Sequence, residues 1–191
     1  PRFFRSQLST LTARGYLRSS LAEIVTDPNR ATSHFAITFD DGYCSVGRLA
    51  FPILAEMQLP ATVFVVAGAI GRTNLWDERS GDKPERMMDA PVLRSLAGAG
   101  IEIGSHSMNH ARLTELPEHA LRAEVRDSKK LLEDLLGSRV AGFSYPYGSW
   151  DARVREAVIE AGYEYAAAAT LGVIDTSTDR FAIPRINVRW N

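Results

Sequence analysis

The stretch Phe35-Ala-Ile-Thr-Phe-Asp-Asp-Gly42 decides how the chain is read, because an apolar run of β-forming residues halts on two carboxylates and a glycine. A short apolar run closed by a turn residue suits a buried strand, and side chains alternate between the two faces of a strand. Asp40 and Asp41 can therefore serve one site only if the strand breaks where they stand, which Gly42 permits.

Outward from that strand, helix-like and strand-like segments alternate. Upstream, Phe4, Leu8 and Leu11 mark a helix that stops near Gly15, and the strand itself runs over residues 34–39. Downstream, Val46, Leu49, Ala50, Ile53, Leu54 and Met57 share one helical face bent at Pro52, and residues 61–66 form a second buried strand. A charged, glycine-rich loop over 71–89 leads to a short helix through Leu93, Leu96 and Ala97 and a short strand over 101–104. The clearest helix opens near Pro117, aligns Leu121, Val125, Ser128, Leu132 and Leu135, and closes at Gly137. A strand over 140–145, a helix capped by Asp151 and ending at Gly162, and strands over 163–168 and 181–188 complete the pattern.

Strands separated by helices pair in parallel through right-handed crossovers, so the class is α/β. Six strands in 191 residues fall short of the roughly 250 residues of an eight-fold barrel. The expectation is one domain over residues 1–191, an incomplete or distorted (β/α) barrel with mostly parallel strands.

Composition narrows the function classes. A net charge of -1 from 22 basic and 23 acidic residues, interspersed along the chain, offers no basic face for nucleic acid. No apolar run approaches the roughly 20 residues of a membrane span. A lone Cys44 excludes an internal disulfide and leaves the compartment open.

In such a barrel the chemistry sits at the C-terminal strand ends, where Asp40 and Asp41, then His106 and His110, then residues 145–150 all fall. In a helical turn His106 and His110 would share a face, and two imidazoles with one carboxylate make a facial set for a catalytic zinc with an open position. Cobalt, nickel and manganese suit the same donors. A divalent ion brings the pKa of water toward about 7, and a carboxylate with an ordinary pKa near 3.9 is ionised to take the proton. One aspartate then serves as ligand and the other as general base. Alone, Asp-Asp-Gly is often a turn with a helix cap, and two histidines at this spacing are often structural. Their conjunction at one end of the domain argues for the metal.

Thr38-Phe-Asp-Asp-Gly42, Gly104-Ser-His-Ser-Met-Asn-His110 and Tyr145-Pro-Tyr-Gly148, with Pro60-Ala-Thr-Val-Phe64 and Leu75-Trp-Asp77, resemble the polysaccharide deacetylases, the NodB-homology domain of carbohydrate esterase family four. The resemblance runs over nearly the whole chain. It implies a metal-dependent hydrolase that removes N-acetyl, less readily O-acetyl, groups from an amino sugar or polysaccharide and releases acetate. It makes Asp40 the general base and Asp41, His106 and His110 the metal ligands, and has the backbone N–H of Tyr147 bind the oxyanion. The partner it implies is an acetylated glycan or oligosaccharide, with a lean toward the cell envelope or secretion.

The chain departs from the family pattern in two places. Ser144 stands where the family carries an arginine that holds the base, and Arg185, in Ile183-Pro-Arg-Ile186, is a candidate substitute, since a guanidinium can fix a carboxylate bidentately, or else an ordinary surface arginine. The late leucine-histidine motif with the general acid is absent before Asn191, and neither His34 nor His119 replaces it. The Tyr-Pro-Tyr-Gly form is similar to a branch that carries this histidine upstream, which places the acid before Pro1 and makes the chain truncated at its N-terminus. Tyr43, Trp76, Tyr147 and Trp150 could stack on sugar rings or simply pack, and Leu171 and Ile174 could shape an acetyl pocket. Two rivals remain: a hydrolase of the same fold acting on another C–N bond, such as a cyclic imide or formamide, and a silent carbohydrate-binding domain.

Overall fold

The computed structural model describes residues 2–74, 76 and 84–188. Its strands are β1 (Leu17–Arg18), β2 (His34–Phe35), β3 (Thr38–Phe39), β4 (Thr62–Val65), β5 (Glu102–Ser105), β6 (Gly142–Ser144) and β7 (Tyr165–Ala167). β3 to β7 pair in parallel in chain order, while β1 and β2 form a separate parallel pair. The helices are α1 (Arg2–Ala13), α2 (Leu21–Thr26), α3 (Cys44–Leu49), α4 (Phe51–Met57), α5 (Ala90–Gly98), α6 (Glu118–Leu136) and α7 (Ala152–Glu160). The five-stranded sheet curls into a half-barrel with helices against it, which agrees with the expected α/β, mostly parallel, incomplete barrel.

Period-two alternation builds two apolar layers. Val63 and Val65, Ile103, Phe143 and Ala166 belong to the main core with Leu54, Leu93, Leu121, Val125, Leu132, Val154 and Val158 of the helices. The intervening residues Phe64, Tyr165 and Ala167 join Ile183 and Leu21 in a second cluster within the curl. Gly104 and Gly142 make room for its rings: a Cβ at either would lie 2.5 Å from the ring of Phe64 or Tyr165, respectively. Gly142→Ala is expected to cost about 1–3 kcal/mol by overpacking, or roughly 2–4 °C of melting temperature per kcal/mol for a domain of this size. Urea unfolding checks it, and an unchanged midpoint would show that the ring shifts at no cost.

The long helix matches its sequence pattern, with Leu121, Val125, Ser128 and Leu132 buried and Gly137 ending it at φ 68°. The helix expected to bend at Pro52 divides into α3 and α4, with Pro52 in the first turn of α4, where its missing N–H costs nothing.

Three details differ from expectation. The run over 34–39 is two strands with different partners, β2 pairing with β1 and β3 with β4. The segment over 181–188 is no regular strand: it makes one isolated bridge, Ala167 to Ile183, where Pro184 lacks a donor to continue the ladder. The sheet thus has five strands among the described residues, not six. Finally, the structure adds β1 and α2 to the expected elements. α2 begins with a capping box in which Ser20 and Glu23 exchange bonds, and its buried Leu21 joins the cluster within the curl.

Candidate active site

The same alternation sends Phe39 into the outer core, against Phe4 and Phe51, and leaves Thr38 and Asp40 on the opposite face. The strand then breaks at Asp41 itself, which adopts φ 69°, followed by Gly42 at φ 88°. Asp tolerates this left-handed conformation better than most residues. Gly42 donates to Asp40 O at 2.8 Å, closing the turn.

Arg185 meets Asp40 in a bidentate pair, with Nη1 to Oδ1 and Nη2 to Oδ2 both 2.8 Å. Arg185 Nε donates to Ala168 O at 2.9 Å, and its Nη groups also reach Thr38 Oγ1 at 3.3 Å and Ser144 Oγ at 3.1 Å. Burial pushes the Asp40 carboxyl up, but the neighbouring His106 and Arg185 and the hydrogen bonds from Arg185 and Ser144 outweigh it and hold the group below the usual range. The guanidinium that Ser144 cannot supply thus reaches Asp40 from Arg185, and Ser144 bonds to both.

His106 follows β5, with its N–H still bonded to Val65 O. Its Nδ1 lies 2.7 Å from Ser144 O, a carbonyl that can only accept, so this nitrogen carries the proton and Nε2 presents a lone pair in the neutral ring. That Nε2 is 3.5 Å from Asp41 Oδ1, and His110 Nε2 is 3.3 Å from the same oxygen. Burial, with the neighbouring His106 and some help from Arg112, lowers His110 to about 3 against the opposing pull of Asp40, which leaves it neutral near pH 7.

Acceptors so placed repel unless a cation lies among them. Tetrahedral ligands about 2.0–2.2 Å from a zinc ion sit roughly 3.3–3.6 Å apart, and Asp41, His106 and His110 form the group with potential ligand atoms mutually within 4.8 Å. The donor set therefore fits a divalent ion, and the Ser144 carbonyl that accepts from His106 is the outer support such a ligand ordinarily has.

The loop joining the two histidines is strained and strapped. Ser107 and His110 have φ 65° and 58°, each costing about 1–3 kcal/mol for a residue other than glycine. Ser107 Oγ accepts from His110 N at 3.0 Å, and the carbonyls of Ser107 and Met108 accept from Ala67 and Gly68. A Cβ on Gly68 would come within 2.7 Å of Met108 O, so glycine is needed there. Glu124 of α6 accepts from the backbone N–H groups of Met108 and Asn109 and from the Asn109 side chain. The expected helical turn over residues 106–110 is absent; this strapped loop brings the imidazoles together instead.

Of the aromatic residues, Trp76 and Tyr147 flank His110, with ring centroids 4.6 and 4.5 Å away. Tyr147, at φ 58°, is half-exposed and lies under the Arg112 guanidinium at 4.3 Å. Tyr43 packs with Val66, Ala69 and Met87, and Trp150 stacks on Tyr145. Leu171 is exposed, whereas Ile174 packs on the cluster within the curl. His34 Nδ1 lies 2.9 Å from Arg30 O, and His119 is exposed on α6. Leu75 and Asp77 lie outside the described residues. Sequence reasoning missed Thr38, Ser107, Arg112 and Glu124.

Fold and site together define an α/β half-barrel with a carboxylate–imidazole cluster at the C-terminal ends of its strands. A family model described as polysaccharide deacetylase matches residues 27–166, and the chain belongs to that family of hydrolytic enzymes acting on carbohydrate, which are generally metal-dependent. Among curated relatives, the YxkH protein of Bacillus subtilis, provisionally described as a polysaccharide deacetylase, is 25% identical over 97% of this chain and 63% of its own length. A poly-beta-1,6-N-acetyl-D-glucosamine N-deacetylase of Staphylococcus aureus is 24% identical over 78% of this chain and 52% of its own. The chain thus spans between half and two thirds of the length of these relatives. Among solved structures, IcaB from Ammonifex degensii shares the fold with a TM-score of 0.83 at 24% identity, covering 98% of this chain and 83% of that one. No helix of the described residues is long and apolar enough to cross a membrane.

Proposed function

We propose that this chain is a metal-dependent deacetylase domain that hydrolyses N-acetyl groups of an amino-sugar glycan and releases acetate. The observation that carries the reading is the difference in surroundings between adjacent aspartates: Asp41 faces both imidazoles, while Asp40 is held by Arg185.

Asp41, His106 and His110 would hold the ion, and zinc fits the donors best. When bound, it supplies Lewis acidity toward a carbonyl oxygen and makes water more acidic. Asp40 takes the proton of the attacking water on the carboxylate oxygen that keeps a lone pair beyond the bonds from Arg185 and Ser144. Arg185 keeps this carboxylate ionised and fixes its plane. The backbone N–H of Tyr147 is the donor assigned to the developing oxyanion. His110, between Trp76 and Tyr147, forms with them an aromatic wall against which an acetyl methyl can pack. Amide rather than ester is favoured by the N-deacetylase relative.

Acetate release from N-acetylglucosamine oligomers should appear with the Zn²⁺-loaded protein and vanish on chelation. Cyclic imides and formamides assayed in parallel address a same-fold hydrolase of other C–N bonds. Turnover of those alone would replace the reading, and glycan binding without acetate release would mark a binding domain.

A further inference from the structure

The two imidazoles are oriented by different means. His106 is fixed through its ring, by the bond from Nδ1 to Ser144 O. His110 Nδ1 is buried and has no hydrogen-bond partner among the described residues. Its direction is set by the rings of Trp76 and Tyr147 and by its own backbone, which sits at φ 58°. What fixes that backbone therefore fixes the imidazole.

From this asymmetry we infer that Glu124, on the long helix α6, is a positioning residue for His110. Its Oε2 accepts from Met108 N at 3.1 Å and Asn109 N at 2.9 Å, and its Oε1 from Asn109 Nδ2 at 2.6 Å. Two successive backbone N–H groups turned onto one anion form a nest, which a carboxylate fills and a neutral group fills poorly. On the other side of the same loop, Ala67 N and Gly68 N hold the carbonyls of Ser107 and Met108. The loop is thus clamped from both sides between its two left-handed residues, Ser107 and His110. Without the carboxylate, the donors of Met108 and Asn109 lose their charged acceptor, and the loop can relax from the strained conformation that aims His110 at Asp41. α6 is itself anchored in the core through Leu121 and Val125, so Glu124 transfers the rigidity of the core to the loop.

The inference rests on the metal reading of Asp41, His106 and His110. Outer partners of metal ligands typically cost about 10–100-fold in metal affinity when removed. Glu124→Gln is expected to weaken Zn²⁺ binding about tenfold or more, measured by chelator competition, and to alter the visible spectrum of the Co²⁺ form. Hydrogen exchange at Met108 and Asn109 should accelerate in the metal-free protein. Glu133→Gln serves as a control, since Glu133 on the same helix accepts from Val140 N and pairs with Lys129. That change should lower thermal stability without moving Zn²⁺ affinity. Should Glu124→Gln fail to fold, Asn109→Ala removes only the Oε1 contact and should still weaken binding severalfold. Wild-type affinity and spectrum in the folded Glu124→Gln protein, or in Asn109→Ala where that variant takes its place, would overturn the inference. An equal loss in Glu133→Gln would also overturn it, by reducing the effect to helix stability. Failure of the unaltered protein to bind Zn²⁺ or Co²⁺ would instead refute the metal reading, and the inference with it.

Discussion

Asp40→Asn is expected to lower kcat by about 10²–10⁴-fold, the span that a general base ordinarily contributes, while Zn²⁺ affinity stays close to that of the unaltered protein. The amide matches the carboxylate in size but has no basic oxygen at neutral pH, and its NH₂ would face one of the two Arg185 donors that now meet Oδ1 and Oδ2. Metal binding should survive because the oxygen facing both imidazoles belongs to Asp41, at 3.5 and 3.3 Å. Single-turnover acetate release together with chelator competition separates the outcomes. Retention of most activity would remove Asp40 as the base. Loss of activity in step with loss of Zn²⁺ would make Asp40 a ligand and reverse the roles of the two aspartates.

These roles were only partly legible in the sequence. Abrupt polarity at the ends of apolar runs exposed Asp40, Asp41, His106 and His110, because a strand end that carries ligand-type side chains has few other uses. Arg185 was legible only through the family resemblance, which implies an arginine where Ser144 stands; the pair itself is 145 positions apart in sequence. Glu124 left no such trace: its partners are mainly backbone N–H groups, which any sequence provides. Arg112 was invisible for a related reason, since it meets the face of Tyr147 across a turn that only the fold creates.

In the fold, long amphipathic patterns held and short ones did not. α6 presents several turns of one apolar stripe, so its reading is insensitive to any single position. The pairs Leu17–Arg18 and Thr38–Phe39 are too short for a period to register, and their existence depends on the partner strand. The start of α2, by contrast, carries a local signal. Ser20 followed three residues later by Glu23 is the capping-box pattern, and it marks the start of α2, whose Leu21 closes the cluster within the curl.

Arg185→Met should lower kcat/KM by about 10²-fold, because it removes two charge-assisted hydrogen bonds worth roughly 1.5–3 kcal/mol apiece, only part of which reaches the transition state. Zn²⁺ binding should persist, since Arg185 bonds to Asp40, Thr38, Ser144 and Ala168 rather than to the three ligand residues. The pH profile carries the sharper test. Arg185 is among the groups that hold the Asp40 carboxyl down, while burial pushes it up. With the guanidinium gone, the upward push meets less opposition, so Asp40 loses its proton only at higher pH. The acidic limb of kcat/KM should therefore move to higher pH, with activity recovering in part as pH rises. Arg185→Lys keeps a charge but cannot span both carboxylate oxygens, so it should restore the limb more than the rate. A slower enzyme with an unmoved limb would mean that Arg185 aligns Asp40 without setting its ionisation, and an unchanged rate would remove Arg185 from the site altogether.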